Sequence, residues 1–393
     1  MSIIDEAVVA RVGLSRITEP GTHSVAMAVA DEGPVEVWKA LRAGRRIGAV
    51  SAALAAGAEH RAQGYEPGRD VEMAGRAGAR LVGPGDEEWP DDRLTWQGSS
   101  TLPPPPLVLY LRGSAHLGQL VRRSAAVVGA RAATAYGVHV AGELAMQLCD
   151  AGVTVFSGGA VGIDATAHHG ALASATGVTA AVLASGVDVS YPRGHDQLFE
   201  QIAGSGLLVS EWPPGCAPTR SRFLVRNRVI AALTQATVVV EAAARSGSLT
   251  TARRASELGR HLLAVPGPVT SVMSVGCHQL LREGAVCVTS AAQVLDVIGV
   301  LSEDQAPDPR GPVMARDALS ETVRAVLDAV PVRAWAGEAS IARAAGVSIR
   351  TVQQVLPPLL VNGLVDRSFE GWRLTPLGAQ RPEPRQQQLR LRT

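Results

Sequence analysis

From about residue 120 onwards, short apolar runs alternate with segments of helical periodicity. The apolar runs are AAVVGA, VTVFSGG, TAAVLASG, LLVSEW, ATVVVEAA and HLLAVPG, and helical segments of roughly 10 to 15 residues separate them. Continuous apolar strands are typical of a parallel sheet that is covered by helices on both faces. The sequence therefore predicts a doubly wound α/β domain that takes up about half of the 393-residue chain.

The segments on either side of this domain have a different pattern. Residues 1–85 contain short helical stretches interrupted by Gly and Pro, and they predict a small helical domain. After a polar, proline-broken linker at 300–314, three helical segments and a strand-turn-strand pattern over 315–377 are typical of a winged-helix domain. The last stretch, 378–393, has no apolar periodicity, and we expect it to be disordered.

The overall charge of the chain gives no indication of a charged partner. The formal net charge is +1, and Lys39 is the only lysine, so only a local concentration of arginine is informative. The N-terminal stretch MSIIDEAVVARVGL carries acidic residues where a signal peptide needs basic ones, and no apolar run is long enough to span a bilayer. We expect a cytoplasmic protein that has no membrane partner.

Three loops that follow predicted strands are rich in glycine. They span 129–137, 157–164 and 241–252, and their notable residues are Gly129, Arg131, Ser157, Gly158, Gly159, Gly162, Arg245, Ser246 and Gly247. Asp164 is placed to cap the helix after the second loop. In a parallel sheet, the loops at the carboxyl ends of the strands meet at one edge, where ligands bind. Because backbone N–H groups at helix starts bind anions, the loops predict an anion-binding groove.

The sequence lacks the motifs of common phosphate-binding enzymes. The first loop does not carry the GxGxxG pattern of dinucleotide-binding folds, and a GxxxxGK[ST] loop is impossible in a domain without lysine. His168 and His169 have no metal-binding spacing, and no GxSxG pattern surrounds Ser157 or Ser246. The four cysteines form no CxxC pair, so we expect buried free thiols. We therefore expect no cofactor, no metal and no enzymatic activity.

The stretch SRFLVRNRVIAAL, at 221–233, combines arginines with an aromatic residue at the start of an apolar helix. Between Arg220 and Arg260 there are eight arginines and two acidic residues, which leave a local charge of +6. Guanidinium groups in series suit the phosphates of a nucleic-acid strand, and an aromatic ring such as Phe223 suits an unpaired base. We expect Arg222, Arg226 and Arg228, at the start of this helix, to lie beside the three loops, with Asn227 next to them.

Seven motifs follow one another between about 120 and 298. They are GxR at 129–131, SGGAVGID, AVLASGVDVSYP, FLVRNRVIAALT, VVVEAAARSGSLTTA, AVPGPV and GCHQLLREGA. In this order they resemble the DNA-processing protein family DprA, also called Smf. The resemblance implies an extended Rossmann-like core over 100–299, often preceded by a SAM-like or helix-hairpin-helix-like domain and followed by a winged-helix domain. It also implies binding of single-stranded DNA, dimerisation through the core, and loading of the recombinase RecA during natural transformation and DNA recombination.

The resemblance also assigns residues to a DNA groove by their position in the motifs. These residues are Gly129, Arg131, Ser157, Gly158, Gly159, Gly162, Phe223, Arg226, Asn227, Arg228, Ser246 and Gly247. This sequence departs from the family pattern at His278, where the family usually has Asn, and in having no groove lysines. Since arginine also binds phosphate, we expect Arg193 and Arg282 to replace those lysines. Members of the family are not known as enzymes.

Two other functions are open to a sequence of this pattern. Nucleoside-monophosphate phosphoribohydrolases have a related fold with a PGGxGTxxE motif, but the comparable loop here, RSGSLTTARRA, has Arg253 and Arg254 where a carboxylate is required. A regulator of duplex DNA would read the major groove with the helix SIRTVQQVLPPLL, in which one arginine and two prolines make a poor reader. We therefore expect single-strand binding by the core and an interaction role for the winged-helix domain.

Overall fold

The computed structural model describes residues 5–96, 98–99, 101–299 and 319–379. The predicted linker at 300–314 and nearly all of the predicted tail at 378–393 lie outside the described residues. The chain divides into two compact units, Met1–Ala306 and Pro307–Thr393, which are described separately below.

A nine-stranded sheet forms the centre of the first unit. Its strands are β1 (Ala79–Val82), β2 (Leu109–Arg112), β3 (Ser124–Val128), β4 (Thr154–Ser157), β5 (Thr179–Leu183), β6 (Leu207–Ser210), β7 (Ala236–Val239), β8 (His261–Ala264) and β9 (Val286–Cys287). The spatial order is β1-β2-β6-β5-β4-β3-β7-β8-β9. The seven strands from β6 to β9 in this order are parallel. The order changes direction at β3, whose neighbours are β4 and β7.

Five helices precede β1, and from there on helices alternate with the strands along the chain. They are α1 (Glu6–Ile17), α2 (His23–Glu32), α3 (Pro34–Arg42), α4 (Ala52–Ala62), α5 (Pro67–Arg76), α6 (Asp91–Leu94), α7 (Leu117–Leu120), α8 (Ala135–Asp150), α9 (Ile163–Ala173), α10 (Asp196–Ser205), α11 (Arg220–Leu233), α12 (Ser248–Glu257), α13 (Val275–Arg282) and α14 (Ala291–Ile298). The alternation confirms the predicted doubly wound α/β class.

Both faces of the parallel sheet are buried, as the continuous apolar runs predict. Successive side chains of a strand point to opposite faces. Ala126 and Val128 of β3 belong to an apolar cluster that includes Val229 of α11 and Ala252 of α12. Ala125 and Val127 belong to a second cluster, on the other face, with residues of α8 and α9.

One edge of the sheet differs from the predicted parallel arrangement. β2 runs antiparallel to both of its neighbours, β1 and β6. An antiparallel strand at the margin of an otherwise parallel sheet needs no crossover helix, so it is compatible with a doubly wound fold. β1 comes from the region that the sequence assigned to the N-terminal helical domain, so that region also contributes to the sheet.

The N-terminal helices have an apolar cluster of their own and are tied to the sheet through charged side chains. Arg16 donates from Nε to Oδ2 of Asp70 at 2.8 Å and from Nη2 to the carbonyl oxygen of Pro214 at 2.9 Å. Arg222, in the first turn of α11, donates from Nη2 to Glu19 at 2.8 Å. These contacts fix the N-terminal helices beside the start of α11.

The second unit contains α15 (Glu321–Asp328), α16 (Glu338–Ala345), α17 (Ile349–Val361), β10 (Val365–Ser368) and β11 (Gly371–Leu374). β10 and β11 form an antiparallel hairpin. Trp372 of the hairpin packs with Leu356 and Leu359 of α17 in one apolar cluster. Three helices and a hairpin are therefore present as the sequence predicts, while the winged-helix assignment stays a prediction.

Two further expectations from the sequence concern membrane-spanning segments and the burial of the cysteines. Within the described part of the chain, no helix has both the length and the apolar character needed to cross a bilayer. All four cysteines are free thiols, and Cys149 and Cys277 are buried. The expectation of burial is wrong for Cys287, which is exposed, and holds only partly for Cys216. Cys287 is exposed because it lies in β9, a two-residue strand at the edge of the sheet.

Candidate nucleic-acid interface

A groove of about 830 Å³ lies at the carboxyl ends of β3 and β7, where the strand order changes direction. Its lining includes seven of the predicted site residues: Gly129, Arg131, Phe223, Arg226, Asn227, Ser246 and Gly247. The charged side chains in the lining are Arg131, Arg220, Arg226, Arg245 and Asp164. Four arginines against one aspartate give the groove a positive lining in a chain that is close to neutral.

Phe223 lies in the first turn of α11, and two guanidinium groups lie over its ring. The Cζ atom of Arg131 is 4.8 Å from the centroid of its ring, and that of Arg226 is 5.8 Å away. The ring of Tyr191 follows at 5.5 Å between centroids, inclined by 53°. Thr219 fixes the start of the helix, because its side chain accepts a hydrogen bond from the N–H of Arg222. The result is a short series of planar groups along the groove.

Arg226 forms part of the floor of the groove and is itself buried. Its Nη1 donates to the carbonyl oxygens of Gly158, at 2.7 Å, and Val182, and its Nε donates to Oδ1 of Asn227 at 3.2 Å. Burial lowers the pKa of Arg226 to about 10, and the nearby Asp164 opposes this shift. Arg226 therefore stays charged at neutral pH while it holds the second glycine loop in place.

Asp164 is the acidic residue of the groove lining, and the structure corrects its expected role as a helix cap. The residue before α9 is Gly162, and no side chain caps the helix there. Asp164 instead lies in the first turn and accepts a hydrogen bond from the N–H of Gly158 at 3.1 Å. Burial raises the pKa of Asp164, although Arg226 and backbone N–H groups act in the opposite direction.

The third loop presents the start of α12 to the groove. Gly247 precedes this helix, is exposed, and receives no capping hydrogen bond from a side chain. Asn227 Nδ2 donates to the carbonyl oxygen of Gly247 at 3.2 Å, which links α11 to this loop. The hydroxyl groups of Ser246 and Ser248 are 2.7 Å apart, and Arg245 is exposed beside them.

Two arginines of α11 that were expected at the groove lie outside its lining. Arg222 pairs with Glu19 at 2.8 Å instead. The structure does not bring Arg228 to the groove either. Its side chain is 0% exposed and forms an ion pair with Glu211, whose side chain is 3% exposed. The two Nη–Oε distances are 2.6 and 2.7 Å, and Nε donates to the carbonyl oxygen of Pro104 at 2.7 Å. Arg228 faces away from the groove because it lies two residues after Arg226 on the same helix. A side chain in this position stabilises the fold and cannot reach a ligand.

Four residues of the second glycine loop shape the groove without facing into it. Ser157 is buried and donates to the carbonyl oxygen of Val127 at 2.7 Å. A Cβ atom on Gly158 would lie 2.5 Å from Nη1 of Arg226, and one on Gly159 would lie 2.7 Å from the ring of Phe199. Gly162 has a φ of +82° and packs against the carbonyl oxygens of the GxR loop. These four residues are therefore packing positions, not lining positions.

The two arginines that were expected to replace the family's lysines lie outside the groove lining. Arg193 is exposed in the loop before α10, and Arg282 is exposed at the end of α13. His278 contacts the carbonyl oxygen of Gly267 through Nε2 at 3.0 Å, so its polar atom is used within the structure. Arg254, at the position where a phosphoribohydrolase needs a carboxylate, is paired with Glu257 at 2.6 Å.

Tyr191 and Arg220 line the groove but were not among the predicted site residues, and Arg245 was noted in the third loop without being assigned to the DNA groove. Tyr191 belongs to the AVLASGVDVSYP motif after β5, two strands away from β3 in the sheet. Its closeness to Phe223 follows from the loops meeting at the carboxyl edge. Arg220 and Arg245 carry a signal that the sequence did contain, since both lie in the arginine-rich stretch between 220 and 260.

Comparisons with known proteins agree with this fold. The family model described as DNA recombination-mediator protein A matches residues 80–299. A DNA processing protein DprA of Mycobacterium tuberculosis strain H37Rv is 44% identical over 382 residues, which cover 96% of this chain and 97% of that protein. The DprA of Streptococcus pneumoniae strain R6 is 40% identical over 205 residues, or 52% of this chain and 71% of that protein. The X-ray structure of DprA from Streptococcus pneumoniae matches with a TM-score of 0.60 and 28% identity, covering 76% of this chain and 99% of that one.

The chain therefore belongs to the class of doubly wound α/β proteins, and its arginine-lined groove lies where the strand order changes direction. The family match covers more than half of the chain, and the mycobacterial relative matches over nearly its whole length. The chain belongs to the DNA recombination-mediator protein A family, DprA, as its motifs indicated.

Proposed function

We propose that this protein binds single-stranded DNA in the groove and acts as a recombination mediator that loads RecA onto the strand. The observation that carries the proposal is the contact of the Phe223 ring with the guanidinium groups of Arg131 and Arg226, with Tyr191 beside it. Planar aromatic and guanidinium groups stack with unpaired bases, whereas the bases of a duplex are already stacked on one another. An aromatic series inside a positively lined groove therefore favours a single strand.

In this proposal, different parts of the groove meet different parts of the strand. Bases stack on Phe223, on Tyr191 and on the exposed side of Arg131. The guanidinium groups of Arg131, Arg220 and Arg245, which are all exposed, meet phosphates. None of these contacts reads the edge of a base, so we expect little preference for sequence.

Fluorescence anisotropy with a labelled oligothymidylate strand tests the proposal. We expect the wild type to bind the strand more tightly than a duplex of the same length. Arg131→Ala and Phe223→Ala should each weaken strand binding by roughly tenfold, because stacking on an aromatic group contributes about 1–3 kcal/mol per base. The matched control is Arg122→Ala, since Arg122 is an exposed arginine next to the amino end of β3, opposite the groove.

Two results would contradict the proposed site. One is unchanged affinity in both groove variants while each remains folded. The other is an equal loss in the Arg122→Ala control, which would mean that any exposed arginine contributes to binding. Tighter binding of the duplex than of the strand would argue against the single-strand assignment itself.

The proposed function includes two partners, RecA and a second copy of this chain. We expect the protein, working in the cytoplasm, to speed the assembly of RecA on a strand coated with single-strand binding protein. Dimerisation through the Rossmann-like core should appear as a doubled mass in light scattering. The sheet edge at β9 supports this, because Val286 is an exposed apolar side chain there, next to the exposed Cys287. Val286→Arg should then yield a folded monomer.

The C-terminal unit has an interaction role in this proposal. Its described residues include Phe369, whose side chain is 98% exposed at the tip of the β10–β11 hairpin. An exposed aromatic residue of this kind suits a partner surface better than a phosphate backbone. Removal of 313–393 should therefore leave the affinity for single strands unchanged in the anisotropy assay, and a loss of binding would contradict this role.

A further inference from the structure

Glu241 lies just beyond the carboxyl end of β7, and its carboxylate is bound at the start of α8. Oε2 accepts a hydrogen bond from the N–H of Thr134 at 2.9 Å, and Oε1 accepts one from the hydroxyl group of Thr134 at 2.6 Å. Thr134 is the capping residue of α8 and itself accepts from the N–H of Gly137 at 3.2 Å. The carboxylate is therefore held by the capping residue at the amino end of the helix.

The carboxylate also sits close against the first turn of α8. A Cβ atom added to Gly137 would clash with Oε2 and Cδ of Glu241, so only glycine leaves room for the carboxylate there. The backbone carbonyl oxygen of Glu241 accepts from the N–H of Ala130 at 2.8 Å. Glu241 therefore binds the loop after β3 at two residues, Ala130 and Thr134, and it is 2% exposed.

This is the place where α/β folds of the doubly wound type hold the phosphate of a small nucleotide. The first strand-to-helix turn beside the change in strand order supplies N–H groups and the positive end of a helix dipole. α8 has 16 residues, so its amino end carries the full effect of about half a positive charge. In this chain the anion at that position is the carboxylate of Glu241, a residue of the protein itself that lies just after β7.

We propose that Glu241 is a specificity-determining residue: its carboxylate occupies the anion position of the first turn, and so restricts the groove to polynucleotides. The inference rests on the proposed function. A mononucleotide or a dinucleotide cofactor needs a phosphate in this turn to bind firmly, and the buried carboxylate excludes it by charge and by volume. A polynucleotide does not need the turn, because it gains its affinity from several phosphates and bases along the groove.

Two substitutions distinguish the effect of the volume of the Glu241 side chain from the effect of its charge. Glu241→Ala removes the carboxylate and leaves space together with the unsatisfied N–H of Thr134, while Glu241→Gln keeps the volume and removes the charge. Inorganic pyrophosphate and AMP are the probes, with binding measured by calorimetry and thermal unfolding. We expect Glu241→Ala to bind pyrophosphate about tenfold more tightly than the wild type, the change for one freed charge-assisted hydrogen-bond site. Glu241→Gln should show no gain.

The same experiment remains decisive if the alanine variant is unstable. Leaving a buried N–H without a partner destabilises the protein, and an anion that refills the position should reverse this loss. Formate and pyrophosphate are therefore expected to raise the thermal midpoint of Glu241→Ala and to leave that of Glu241→Gln unchanged. A Glu241→Ala protein that responds to neither anion, or equal pyrophosphate affinity in all three proteins, would overturn the inference.

Binding of an oligothymidylate strand by the wild type is measured in parallel. If the wild type fails to bind the strand, the proposed function fails, whatever the variants do with pyrophosphate. If the wild type binds the strand but Glu241→Ala binds pyrophosphate no more tightly than the wild type, the groove assignment is supported and the proposed role of Glu241 is wrong.

Discussion

Replacing Arg228 with alanine should destabilise the fold and leave the affinity for DNA intact. The guanidinium group is completely buried and pairs with Glu211 through distances of 2.6 and 2.7 Å. Its loss would leave the carboxylate of Glu211, which is 3% exposed, without its partner in a dry environment. Removing one partner of such a buried ion pair lowers the free energy of unfolding by about 3–5 kcal/mol. That is a large part of the roughly 5–15 kcal/mol by which a domain is stable.

Urea denaturation followed by circular dichroism measures this loss. A double variant, Glu211→Leu with Arg228→Met, serves as the control, because replacing both charges with apolar groups of similar size removes the unpaired carboxylate. We expect the double variant to be more stable than Arg228→Ala alone, even though the carbonyl oxygen of Pro104 then loses its donor.

The same proteins are then tested for strand binding under conditions in which they are folded. Arg228→Ala should bind the oligothymidylate strand like the wild type, whereas Arg131→Ala should bind weakly and unfold normally. The reasoning would be refuted by an Arg228→Ala protein of unchanged stability and reduced affinity, because that result would place the guanidinium group in the groove.

Three further predictions concern the groove and the core beside it. Arg131→Ala should reduce the slope of log affinity against log salt concentration by about 0.7, the value for one phosphate contact on a single strand, and an unchanged slope would mean that Arg131 meets no phosphate. Burial lowers the pKa of His168 to about 3, and the nearby His169, His195 and Arg226 act in the same direction, so the neutral form is favoured in the folded state. The free energy of unfolding should therefore fall as the pH drops below about 6.5, by about 2 kcal/mol between pH 6.5 and 5. In urea titrations, His168→Gln should lose less stability over this range. An equal loss would contradict the assignment of the pH dependence to His168. Gly158→Ala should destabilise the protein by about 1–3 kcal/mol and weaken strand binding, because its Cβ would displace Arg226; wild-type stability and affinity would show that Arg226 can move freely.

The parallel part of the fold could be predicted from the sequence because its signal is local. An apolar run such as that of β3 or β7 is long enough for one buried strand, and the helical segments between the runs have the right length for crossovers. The direction of β2 carries no such signal. Its residues, Leu109–Arg112, are as apolar as those of a parallel strand, and its orientation is set by the path of the chain before it.

The same distinction explains which site residues could be predicted. The glycine loops were found because glycine clusters after strands have a known use, although several of these glycines serve packing between the two loops. The separation of Arg226 from Arg228 depends on which residues face each side of α11. Glu211, the partner of Arg228, is 17 positions away and belongs to the segment after β6. No local pattern could indicate that pairing.

The arginine-rich stretch therefore overstates the charge that a strand would meet. Of its eight arginines, Arg228 is neutralised by Glu211, Arg222 by Glu19 and Arg254 by Glu257. The lining of the groove takes Arg220, Arg226 and Arg245 from this stretch and adds Arg131 from the GxR loop. Because Arg226 is buried and used by backbone oxygens, three guanidinium groups remain for phosphates. A strand held by so few charges must gain much of its affinity from stacking, which is why the position of Phe223, and not the local charge of +6, carries the functional argument.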